Sequence, residues 1–213
     1  MEQSFWHQKW NKGELGFHQS EINPFLVAHF SQFNLKVGCR IFVPLCGKSL
    51  DMVWLRNQGF DVVGIELVPS AVEQFFAELD VAPEITPCGE LTSYRAAGVE
   101  LFVGDFFALS APQLGVVDLI YDRAALVALP PAMRVEYAQR LKELCAAAPQ
   151  LLVTFDYDQS RLDGPPFSVP GNELQQLYGD RYALSELGSA VIEGGPRGDI
   201  GAREIAWQLL PIS

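Results

Sequence analysis

Histidine and cysteine are scarce in this chain, at 3 and 4 of 213 residues. Cys39, Cys46, Cys88 and Cys145 lie far apart, with no Cys-x-x-Cys pair and too few histidines nearby for zinc, so neither a metal site nor a disulfide framework is expected. They read as reduced thiols. Basic residues are also short: 15 Lys+Arg face 26 Asp+Glu, a net charge of -11. That balance repels phosphate backbones and anionic lipid surfaces, which argues against nucleic acid and membrane as partners. An apolar run long enough to span a bilayer is missing. The first residues, with Glu2, Trp6, His7, Lys9 and Trp10, lack the basic stretch and apolar run of a secretory signal. A cytoplasmic protein is expected. With no repeat, no low-complexity tract and no conspicuous apolar stripe for self-association, a monomer is expected as well.

What the chain does have is apolar bulk. Hydrophobic residues make up 49% and charged residues 19%, enough for one core, and a single domain over residues 1–213 is expected. Residues 40–44, 61–66, 100–104, 117–121 and 150–155 are short apolar, β-branched or aromatic runs, as in strands buried on both faces of a parallel sheet. Between them the apolar period is helical: Leu50, Val53 and Trp54 before Gly59, then Val72, Phe75, Phe76 and Leu79, then Tyr137, Leu141, Leu144 and Cys145. Ser70 with Glu73 reads as a capping box, and Pro130-Pro131 suits a first helical turn. The alternation predicts a doubly wound, Rossmann-like α/β core over residues 36–213. Upstream, Asn23-Pro24 caps a helix aligning Ile22, Phe25, Leu26, His29, Phe30 and Phe33, so residues 1–35 read as a helical cover and His29 as a packed histidine. Residues 181–192 and 203–209 read as an antiparallel hairpin.

Open α/β sheets bind ligands at the carboxyl ends of their strands. The first such end reads Phe42-Val43-Pro44-Leu45-Cys46-Gly47-Lys48-Ser49. It is not a P-loop, because Phe42 stands where that motif needs its first glycine. Dinucleotide binding is weakened, though left open, since Gly47 is the one glycine where a pyrophosphate fingerprint has three. A nucleoside cofactor without phosphate, such as S-adenosylmethionine, needs only a sharp turn there. Glu66, nineteen residues beyond Gly47 at the end of the second strand, can accept hydrogen bonds from two ribose hydroxyls. Asp105-Phe106 ends the third strand, where a carboxylate can meet an adenine amino group and a ring its face; Asp105 reads equally as a helix N-cap. Asp122-Arg123 ends the fourth, placing a guanidinium on the ligand rim.

Over nearly its whole length the chain resembles the thiopurine S-methyltransferase family, in its bacterial form. The resemblance rests on Trp6-His7-Gln8-Lys9-Trp10 with Phe17-His18, on Phe42 to Lys48, on Val63-Gly64-Ile65-Glu66, on Asp118 to Arg123 with Ala125-Leu126-Val127-Ala128, and on Gly164-Pro165-Pro166-Phe167. It implies a class I methyltransferase fold, with a seven-stranded, mostly parallel sheet, a C-terminal antiparallel hairpin and an N-terminal helical extension. It also implies a cytoplasmic enzyme that moves a methyl group from S-adenosylmethionine to the sulfur of aromatic and heterocyclic thiols. By the family pattern Trp10, Leu45, Glu66 and Arg123 bind the cofactor, Asp105 and Phe106 contact its adenine, and Phe17 lies on a cover segment bordering the substrate. Gly47 joins the cofactor set through the loop. Arg197 is a substrate-side candidate in the Gly194 to Gly201 loop, where the sequence departs from the family pattern.

The chemistry so implied is in-line displacement, which asks for alignment and water exclusion and no metal. An acidic thiol removes the need for a strong base, in keeping with the lack of a Ser-His-Asp or Cys-His constellation. Arg123 is expected to act electrostatically, with Asp122, Asp156 and Asp158 as candidates for orienting a proton acceptor. Lys48 and Cys46 read as scaffold. Competing readings are a small-molecule methyltransferase for simple thiols, halide, selenium or tellurium species, a non-catalytic adenosine-binding protein, and an NAD-dependent oxidoreductase.

Overall fold

A computed structural model describes residues 3–13, 18–192 and 201–212; Phe17 and Arg197 lie outside them. In chain order the strands are β1 (Arg40–Pro44), β2 (Asp61–Glu66), β3 (Glu84–Cys88), β4 (Leu91–Ala96), β5 (Val99–Val103), β6 (Leu119–Arg123), β7 (Gln150–Asp156), β8 (Tyr182–Ile192) and β9 (Ala202–Pro211). They form one sheet in the order β3-β4-β5-β2-β1-β6-β7-β9-β8. The run from β5 to β7 is parallel, and β9 and β8 close one side antiparallel. Seven of these strands are the expected sheet with its terminal hairpin. The count of nine comes from the hairpin β3–β4, added antiparallel to β5. Sequence pattern did not announce it, because β3 is almost wholly exposed, carries Pro87 and has no apolar run.

Burial on both faces is visible residue by residue. Ile41 and Val43 point to one side of β1 and Phe42 to the other, and all three are within 2% of fully buried. Fully burying a side chain of this size contributes roughly 1.5–3 kcal/mol, so no strand of the parallel run needs a polar face. One face is covered by α2 (Pro24–His29), α3 (Leu50–Asn57) and α4 (Pro69–Glu78), the other by α5 (Ala111–Leu114), α6 (Pro131–Leu144) and α7 (Gly171–Tyr178). A further helix, α1 (Gln3–Asn11), precedes them. Among the described residues no helix is long and apolar enough to cross a membrane.

Local differences from expectation have local causes. The fourth parallel strand starts at Leu119 rather than at residue 117, because the Asp118 side chain accepts the Arg40 amide (2.7 Å). The Ser70–Glu73 capping box does not form. Pro69 opens α4, which moves the N-cap back to Val68 and leaves Ser70 inside the helix. Asn23 does cap α2, accepting the amides of Phe25 and Leu26, but that helix has only 6 residues before a 3-10 turn over Phe30–Phe33. His29 is half-buried, stacked on Phe25 and hydrogen-bonded to Gln32.

Candidate active site

The chain leaves β1 in a turn with φ of +45° at Leu45 and +53° at Gly47. For Leu45 this left-handed conformation costs on the order of 1–3 kcal/mol and persists only where the surroundings impose it. Here they do. The Cys46 amide donates to the Ile65 carbonyl (3.0 Å) and the Gly47 amide to Glu66 Oε2 (2.9 Å). Cys46 packs against Gly64, where an added Cβ would lie 2.8 Å from its Sγ and 2.8 Å from Leu101 Cδ2. A glycine inside β2 is therefore the condition for this loop to close. Burial pushes the Cys46 thiol well up, so it packs rather than reacts.

Glu66 is 7% exposed, and its Oε1 accepts the Val68 amide (2.8 Å). Burial raises its carboxyl pKa while the amides of Val68, Gly47 and Leu67 pull it down. A carboxylate has about four acceptor sites, so capacity remains for a ligand. Asp105 caps the 3-10 turn Phe106–Ala108 by accepting the Phe107 amide (2.9 Å), and it also lines the cleft, so its two readings coexist. The Phe106 ring is 4% exposed against Tyr137, whereas the neighbouring Phe107 is 39% exposed and lines the same cleft.

Strand alternation separates the members of the Asp122-Arg123 pair. Asp122 is fully buried, accepting the Leu126 amide (3.1 Å) and the Tyr137 hydroxyl (2.7 Å), and does not line the cleft. Its expected part in proton transfer gives way to anchoring the turn after β6. Burial pushes its pKa up to about 6. A raised folded pKa means stability present at low pH and lost as pH rises through about 6, by roughly 2–3 kcal/mol for a two-unit difference. Asp122→Asn should therefore gain stability relative to the parent between pH 4 and 7 in urea titrations. Parallel trends for the two proteins would refute this. Asp156 and Asp158 are also absent from the cleft wall; Asp158 is an exposed cap on the Ser160 amide.

Arg123 does face the cleft, with its side chain 10% exposed. Behind it stands Asp51 from the first turn of α3, with an oxygen 3.9 Å from the guanidinium. Asp51 also accepts the Asn23 amide (2.8 Å) and the Tyr121 hydroxyl (2.9 Å). The Asn23 side chain in turn donates to Glu204 of β9 (3.2 Å), and Glu204 lines the cleft. Around these groups the cleft encloses about 520 Å³, within the ~300–1,000 Å³ usual for small-molecule sites. Trp10, 6% exposed, packs on Val68 and Ala71 and, with Phe5 and Trp6, closes one side. Leu129, Met133, Pro165 and Pro166 form an apolar wall. Buried Arg134 braces that wall, donating to the carbonyls of Leu129 and Ser168 and to Glu173, with its guanidinium over the Phe167 ring.

The family model for thiopurine S-methyltransferase matches residues 1–202. The chain belongs to this family. A relative in Teredinibacter turnerae named thiopurine S-methyltransferase is 50% identical over 209 residues, covering 98% of this chain and 97% of that one. Among solved structures, an S-adenosylmethionine-dependent methyltransferase from Methanosarcina mazei superposes with a TM-score of 0.64 at 14% identity, over 91% of this chain and 100% of that one. Magnesium protoporphyrin IX methyltransferase from Synechocystis with bound S-adenosylhomocysteine gives 0.59 at 12%, over 98% and 99%. At such identities the likeness speaks for the class I methyltransferase fold alone.

Of the residues expected at a family site, Trp10, Leu45, Gly47, Glu66, Asp105, Phe106 and Arg123 all line one cleft. Sequence reasoning missed Phe107, Glu204 and, behind the wall, Asp51. Asp51 had a local signal, standing two residues after the N-cap Ser49. Glu204 had none, since its contact to Asn23 spans 181 positions. Lys48, expected to be scaffold, pairs with Glu78 on α4.

Proposed function

We propose that this protein methylates the sulfur of a small aromatic or heterocyclic thiol, such as a thiopurine, using S-adenosylmethionine. The observation that carries the reading is a single cleft combining carboxylates at two strand ends, Glu66 and Asp105, with an aromatic and apolar remainder. The residues fit an adenosine without phosphate. Glu66 retains acceptor capacity for ribose hydroxyls, and Asp105 with Phe106 and Phe107 suits the adenine edge and face. A pyrophosphate beside Gly47 would meet the Glu66 carboxylate on the very amide it needs, which disfavours the dinucleotide reading. Trp10, Leu45, Gly47 and Arg123 would hold the rest of the cofactor.

When bound, the cofactor supplies an electrophilic methyl group on a sulfonium. The chain's own residues do the remainder. Phe5, Trp6 and Trp10 exclude water, while Leu129, Met133, Pro165 and Pro166 offer a flat acceptor ring an apolar seat that aligns its sulfur. Arg123 supplies the positive potential that favours charge on that sulfur. Free thiols at all four cysteines suit a reducing cytoplasm.

The test is a thermal shift with S-adenosylhomocysteine and with NAD, followed by transfer of labelled methyl to a panel of acceptors. Stabilisation by S-adenosylhomocysteine and methylation of a thiopurine are expected. A shift with NAD, or transfer restricted to alkyl thiols, halide, selenium or tellurium species, would replace this reading.

A further inference from the structure

Around Arg123 charge does not balance: one guanidinium stands near two carboxylates, Asp51 behind the cleft wall and Glu204 on it. Asp51 is 2% exposed, holds the Asn23 amide and the Tyr121 hydroxyl, and is spent behind the wall. Glu204 accepts a side-chain hydrogen bond from the Asn23 amide group, makes no ion pair within 4 Å among the described residues, and lines the cleft near Arg123. The cleft wall thus carries, next to Arg123, a carboxylate with no cationic partner within 4 Å among the described residues.

We propose that Glu204 takes up the acceptor's proton, so that a thiol is methylated in this cleft whether it arrives neutral or as thiolate. The proposal rests on the methyl-transfer reading above. A neutral thiol passes its S–H proton to a Glu204 oxygen. A thiolate arriving beside ionised Glu204 brings two like charges into a half-buried space, and the pair then binds one proton from water. In transfer, the acceptor sulfur's electron pair forms the new S–C bond and the pair of the broken C–S bond stays on the departing thioether sulfur. The acceptor's proton stays on Glu204 until product leaves.

Burial raises the Glu204 pKa, opposed by Arg123 and the Asn23 hydrogen bond and assisted by Asp51, which makes it a better base than a solvated glutamate. Of the other groups with base character on the cleft wall, Glu66 and Asp105 already hold backbone amides at the ends of β2 and β5, and His18 is worse placed. Burial, Lys48 and Arg123 disfavour its protonated form and outweigh Glu78, which favours it. A proton on Glu204 removes an excess negative charge.

Two measurements decide it. Calorimetry of a thiolate-form acceptor binding to the S-adenosylhomocysteine complex, run in buffers of different ionisation heat, should show uptake of about one proton in the parent and none in Glu204→Gln. Methyl transfer to a thiol of high pKa should fall ~10²–10⁴-fold in Glu204→Gln, with a far smaller loss for a thiol already ionised. Undiminished S-adenosylhomocysteine affinity certifies the variant's fold. Should the variant not fold, the parent decides alone, since absence of proton uptake overturns the proposal. Equal losses for both thiols, or uptake abolished by His18→Gln instead, also overturn it. A parent that binds S-adenosylhomocysteine but methylates no thiol sinks the underlying reading, a distinct result.

Discussion

Glu66→Ala should bind S-adenosylhomocysteine roughly 10–150-fold more weakly than the parent, the equivalent of about 1.5–3 kcal/mol for hydrogen bonds to a charged group. The variant should also unfold more readily. The parent carboxylate holds the amides of Gly47 and Val68, and each buried donor left without an acceptor costs ~1–3 kcal/mol. Ribose contacts can be separated from collapse of the loop by repeating the titration with an analogue lacking the ribose hydroxyls. The parent should discriminate against the analogue, and Glu66→Ala should not. Equal affinities of parent and variant for S-adenosylhomocysteine would remove Glu66 from the binding site. Because burial raises the Glu66 pKa, acid should protonate it and weaken binding before an ordinary surface glutamate titrates.

Arg123→Ala should lower kcat/KM on the order of 10²–10³-fold, the scale for removing one preorganised donor from developing charge. Its effect on folding should be small by comparison. Asp51 keeps the Asn23 amide and the Tyr121 hydroxyl, and the Arg123 contact to it is long at 3.9 Å. Arg123→Lys should recover part of the loss by restoring charge without the planar fork. Kinetics unchanged in Arg123→Ala would leave the guanidinium as packing for Asp51 and nothing more.

Strand ends were legible because their chemistry is contiguous: an apolar run, then a glycine turn or an acid, is written in neighbouring letters. Glu66 and Arg123 were found that way. Asp122 was misplaced by the same habit, since standing next to Arg123 in sequence puts it on the opposite face of a strand. Period two already contained the correction, as Tyr121 and Arg123 share a side and both reach Asp51. The capping box at Ser70 was read from a pattern that Pro69 overrides. Glu204 was beyond reach, because its position in the cleft depends on β9 inserting between β7 and β8, a tertiary event with no local signature. The β3–β4 hairpin was lost for a different reason, namely that an exposed edge has little apolar pattern to read.

The place of β9 in the sheet has a consequence for biosynthesis. It is the last of the nine strands to leave the ribosome, yet it must seat itself against β7, whose outer edge stays bare until then. A nascent chain halted before residue 202 would present that edge to other chains, the usual starting point for strand-to-strand aggregation. It would also lack Glu204, so a polypeptide with the Glu66 and Asp105 side of the cleft already shaped would be missing the part of the wall that β9 supplies.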